Sequence, residues 1–172
     1  MEAQITTGRL RSRDDLSLQE AQAKIRAHQR SAPVKVSQLA ETLGLPILVS
    51  PLGPNNSGKI YRDKTGRSPS GFFIEVNRDE AYVRQRFTAA HEIAHFILHR
   101  DLIIDSVSDD VLYRSGLSSP VEAEANNLAA DILMPWHLIR KATDEGKTTV
   151  ADLAAYFDVS QIAMSIRLGS PT

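Results

Sequence analysis

The apolar positions of this chain recur with a helical period, lapse into short unbroken runs, and then return to the helical period. From residue 16 onward, LSLQEAQAKIRAHQR has helical composition, and VSQLAETLGLP sets Leu39 and Leu43 four apart. In that second segment Ser37 is placed to cap the helix, Gly44 to stop it, and Pro46 to prevent its continuation. PILVS, SGKIYR and GFFIEVN follow, apolar or β-branched runs separated by Gly, Pro, Asn and Ser, and they predict a small sheet. Asn77 with Glu80 three residues on has the pattern of a capping box that opens a new helix. Along that helix Phe87, Ala90, Ala94 and Ile97/Leu98 form an apolar stripe, so one flank faces a core.

Residues 101–119 show no period, and Ser119-Pro120 restarts helix with a capping serine and a first-turn proline. The stripe there is Val121, Ala125, Leu128 and Ile132, and Pro135 ends or kinks the helix. WHLIRKATDEG predicts one more helix stopped at Gly146, and TTVADLAAYFDVSQIAMSIRLGS a closing helix, short turn and helix. The fold class expected is α+β, mostly helical. Its organisation reads as a loose arm over 1–15, a main domain over 16–146 and a C-terminal hairpin over 147–172, packed on or appended to that domain.

At 172 residues the chain suffices for one domain with a real core. The net charge of −1 argues against a protein built to coat nucleic acid or an anionic membrane. Charge is uneven, with seven Lys/Arg against four acids in 1–35 and six acids against one Arg in 101–124. Cysteine is absent, which excludes disulfides, thiolate metal sites and a cysteine nucleophile, so any metal is held by N and O ligands. No apolar signal core or membrane-length run occurs, and a cytoplasmic location is expected.

The segment F-T-A-A-H-E-I-A-H-F-I-L-H-R, 87–100, carries the candidate chemistry. Four residues turn an α-helix by about 400°, so His91 and His95 share a face about 6 Å apart along the axis, within reach of one ion. Glu92, about 100° around, stays off the metal but beside the attacking water, where a general base belongs in a zinc hydrolase. The competing interpretation is an amphipathic helix whose histidines are incidental.

Two histidines leave a catalytic zinc in need of a third protein ligand, and a carboxylate from a second helix is one solution. Glu122 and Glu124 flank the Val121 stripe on opposite sides. Asn126, one turn beyond Glu122 on its face, is placed to orient a ligating histidine, which favours Glu122 as the ligand. Ser119-x-x-Glu122 is also a capping box, which would explain that glutamate without a metal. Glu124 reads as a supporting carboxylate, with an exchange of roles between the two left open.

The run R-Q-R-F-T-A-A-H-E-I-A-H-F-I-L-H (84–99), followed by E-A-E-A-N-N-L-A-A-D-I-L-M-P (122–135), resembles the ImmA/IrrE family of zinc-dependent metallopeptidases. The resemblance extends to GFFIEVN, the Tyr113-Arg114 pair and the LAAYFDVSQIAMSIRL tail, with Ala94 and Leu128 departing from the commoner glycine and aromatic. It implies a zincin-like metalloprotease domain and one Zn2+ held by His91, His95 and Glu122, with Glu92 as base. It further implies a regulatory protease that cuts a partner, a helix-turn-helix repressor or an antitoxin-like regulator, in bacterial stress responses, mobile-element transfer or toxin-antitoxin modules. For an oxyanion donor, Tyr113 is the first candidate and His99 the second, although His99 near a helix C-terminus also suits the dipole. An edge strand could align an extended substrate, and GFFIEVN enters the metal helix.

Two further readings concern binding without cleavage. LAAYFDVSQIAMSIRL has helix-turn-helix spacing, with Val159-Ser160 in the turn and Ser160–Leu168 as the recognition helix. Only Arg167 there offers a strong phosphate or guanine contact, and Ala163, Met164 and Ile166 are poor readers of base edges. A metal-stabilised scaffold that grips a regulator without cutting it is the other reading.

Overall fold

The computed structural model describes residues 16–103 and 119–169. Helix α1, Leu18–His28, is capped by Ser17, whose side chain accepts from the Glu20 N–H while Glu20 reaches back to the Ser17 N–H. Helix α2 spans Val36–Thr42 and turns out at Gly44, whose φ of 71° suits glycine. Ser37 is not its cap. The helix begins one residue earlier, Lys35 occupies the cap position without a side-chain bond, and Val36, Leu39 and Ala40 hold the segment by burial.

Strands β1 (Ile47–Ser50), β2 (Gly58–Arg62) and β3 (Phe72–Asn77) form one sheet in the order β1-β3-β2, with β1 parallel and β2 antiparallel to β3. Phe72, Ile74 and Val76 of β3 are buried, while Lys59–Glu75 and Tyr61–Phe73 pair across strands on the other face. GFFIEVN is therefore the central strand and cannot receive an extended substrate, because β1 and β2 occupy both its edges. The strand bordering the metal helix from the sheet's edge is β2. It approaches closely through Gly58, where an added Cβ would collide with Thr88 Cγ2 and stand 2.6 Å from the Glu75 carbonyl.

Helix α3, Tyr82–Leu98, lies against β2 and β3, with Ala89, Ala90, Ile93, Ala94 and Phe96 buried. Asn77 does not cap it. It ends β3, and its carboxamide organises the loops on either side, accepting from Leu52 N and Asp79 N and donating to the Gly53 and Asn56 carbonyls. Glu80 accepts from Ser57 Oγ at 2.7 Å instead of closing a capping box.

Helix α3 is followed by a 3-10 turn at Arg100–Leu102, and α4, Ser119–Leu133, packs along α3. Its core side is Ala125, Ala129, Ile132 and Leu133. Pro135 separates it from α5, Trp136–Asp144, which stops at Gly146 with φ 93°. The closing hairpin is α6 (Val150–Phe157), capped by Thr149, and α7 (Gln161–Arg167), capped by Ser160.

The hairpin shares the core: Leu153, Ala154, Phe157, Val159 and Met164 are buried in the same cluster as the sheet and α3. Arg86, buried in α3, donates to the carbonyls of Asp158, Phe157 and Val34 at 3.0–3.4 Å. Arg167 pairs with Asp131 at 2.7 Å and donates to the Met134 carbonyl. Among the described residues, no helix is long and apolar enough to cross a membrane.

Candidate metal centre

Helices α3 and α4 bring His91, His95 and Glu122 together. The two Nε2 atoms are 2.9 Å apart, and the Glu122 carboxylate lies 3.3 Å from His91 Nε2 and 3.4 Å from His95 Nε2. A zinc ion with bonds of about 2.0–2.1 Å needs ligand atoms about 3.3 Å apart at the corners of its tetrahedron, so the donor set fits in both chemistry and size. Glu122 turns its carboxylate to the two histidines.

Burial sets the charge state of the imidazoles. His95, 1% exposed, has its pKa pushed down to about 3, by desolvation first and then by His91 and His99. His91 is also lowered, chiefly by desolvation, although Glu122 and Asn126 pull the other way. Both rings are thus neutral at neutral pH, the form whose lone pairs bind a metal.

A cavity of about 440 Å³ opens over this cluster, and the buried Glu92 lines it beside both histidines. Asn126 Oδ1 lies 3.0 Å from His91 Nδ1, on the side of the ring away from the cluster. Glu124, which stands apart from Glu122 on α4, faces His99 at 3.0 Å. His99 sits behind His95, Nδ1 to Nδ1 at 3.1 Å, and is not among the residues that line the cavity, so it is not placed to meet an oxyanion there. Tyr113 lies outside the described residues.

The cavity also contains groups that sequence reasoning passed over: Arg84, Thr88 and the Ser57-Gly58 start of β2. A signal existed for two of them. Arg84, Thr88, His91 and His95 are spaced by four, three and four, which places them on one helical face.

A helix bearing H-E-x-x-H, a carboxylate from a second helix and a small sheet alongside are an arrangement that suits a metallopeptidase. Comparison with protein families agrees: the model of the IrrE N-terminal-like domain, Peptidase_M78, matches residues 40–169, and the chain belongs to this family. No curated protein matches the chain. Among solved structures, a Mycobacterium tuberculosis transcriptional regulator superposes with a TM-score of 0.57 at 17% identity, over 87% of this chain and 46% of that one. At that identity the likeness is one of fold, and the chain spans less than half of that regulator's length.

Proposed function

We propose that the protein is a zinc-dependent regulatory peptidase that hydrolyses a peptide bond in a partner protein, a helix-turn-helix repressor or antitoxin-like regulator being the substrate. The observation that carries this reading is the convergence of His91, His95 and Glu122 on one point, with Glu92 lining the same cavity. Zinc, when bound, supplies Lewis acidity toward water and the scissile carbonyl. His91 Nε2, His95 Nε2 and the Glu122 carboxylate would hold it. The Glu92 carboxylate takes the proton of the attacking water and returns it to the leaving amine. Asn126 orients His91 by accepting from its Nδ1–H. A transcriptional repressor as substrate places the reaction in the cytoplasm. Residues 147–172 act as part of the peptidase domain, supported by the Arg86 and Arg167 contacts.

The test is Glu92→Gln in the zinc-loaded protein, read with candidate repressors found beside the gene. Retained zinc with cleavage lost supports the peptidase. Unchanged binding of a partner that the wild type never cuts would establish the non-catalytic scaffold instead.

A further inference from the structure

We infer that His99 and Glu124 form an outer relay that fixes the proton on His95 and tightens the metal site, an inference that rests on the zinc reading above. His99 is the residue at which α3 ends: its N–H still donates to the His95 carbonyl at 2.8 Å, but its φ of −128° departs from the helix. The ring lies against His95, Nδ1 to Nδ1 at 3.1 Å, with its Nε2 3.0 Å from Glu124 Oε2. The imidazole is buried, with 7% of its side chain exposed, while the carboxylate at the end of the chain reaches solvent at 64%.

With zinc on His95 Nε2, the ring protons are arranged as follows. Two ring nitrogens at hydrogen-bond distance need one proton between them, so one is bare and the other is N–H. His95 must present a bare Nε2 to a metal, which puts its hydrogen on Nδ1. His99 Nδ1 is then the acceptor, its own hydrogen is on Nε2, and Nε2 donates to Glu124.

The two histidine ligands are thus supported unequally. His91 has a neutral amide behind it, and His95 has an imidazole backed by a carboxylate. The second arrangement makes the ligand nitrogen the stronger electron donor, so His99 and Glu124 are positioning residues that act through His95.

The experiment is zinc affinity of the full chain, measured by competition with a chromophoric chelator, for wild type, Glu124→Gln, His99→Phe and the double variant. Both single variants should bind zinc more weakly, within about 10- to 100-fold, with His99→Phe the weaker. The double variant should match His99→Phe alone, because among the described residues Glu124 reaches the metal site through His99. Glu124→Gln should melt like wild type without metal, which separates its effect from a loss of fold. Wild-type affinity in both single variants, or losses that add in the double, overturns the relay and leaves the zinc reading intact. A wild type that binds no zinc, with His91→Ala indistinguishable from it, overturns both.

Discussion

Helix α3 buries polar groups, whereas α6 and α7 bury a nearly uniform apolar core. Thr88, Glu92, His95 and His99 are buried along or at the end of α3, whereas the hairpin buries Leu153, Ala154, Phe157, Val159 and Met164, with Ser165 as its polar exception. Burying an imidazole or a carboxylate opposes folding, and burying Phe157 favours it by a few kcal/mol. Helix α3 therefore carries buried polar groups whose presence stability does not explain, and the hairpin carries the reverse. Under the proposed function, the difference separates the part of the molecule that would do the chemistry from the part that holds it in place.

Removing a metal ligand should sharpen this contrast most. With free zinc at about 1,000 times its dissociation constant, binding stabilises the wild type by about 4 kcal/mol, and His95→Ala or Glu122→Ala should lose that increment entirely. Thermal melts with and without zinc, beside elemental analysis, measure it. A wild-type melt that ignores zinc would remove the functional side of the comparison.

The metal-free protein should also be acid-sensitive because of α3. The folded pKa of His95 is about 3 and that of His91 is lowered too, against an unfolded value near 6.5. The neutral form is favoured by the fold, so this contribution is complete above pH 6.5 and is lost as pH falls toward 3. The expected slope is about 1.4 kcal/mol per pH unit for each independent histidine, with the adjacent pair giving less than twice that. Denaturant midpoints of the metal-free protein between pH 7 and pH 4 give the slope, and His95→Phe should flatten it.

On the hairpin side, Arg86→Met should cost about 3 kcal/mol, since it strands the carbonyls of Val34, Phe157 and Asp158. Zinc affinity of the folded protein should stay within a few-fold of wild type. A variant that loses zinc without losing stability would show that Arg86 serves the site and not the hairpin.

Legibility followed the range of the interactions. Spacing along one helix identified His91, Glu92 and His95 as a group, and the apolar stripe of α4 put Glu122 and Glu124 on different sides, as the structure has them. The three strands and the hairpin were also readable, because their apolar runs and stop residues are local. What failed depended on partners far away in the chain. Asn77 looks like a cap until Leu52 and Gly53 come within reach, and nothing local says that β3 is central. For His99, spacing offers a second-choice oxyanion donor or a partner for the helix dipole, because it cannot tell the front of His95 from its back.

Arg167 provides the smallest and last test. A recognition helix needs its basic residue facing outward, yet here the guanidinium is 2.7 Å from Asp131, donates to the Met134 carbonyl and lies over the Trp136 ring at 4.8 Å. The outward positions of α7 are instead Gln161, Ile162 and Ile166, of which the two isoleucines are about two-thirds exposed. Arg167→Gln should therefore cost about 1 kcal/mol of stability, since the pair is partly buried. It should not alter DNA binding, because the wild type should show none that rises at low salt. Salt-dependent retardation of duplex DNA by the wild type, with a slope that falls by about one in Arg167→Gln, would assign the hairpin a DNA-reading role and end its description as a purely structural brace.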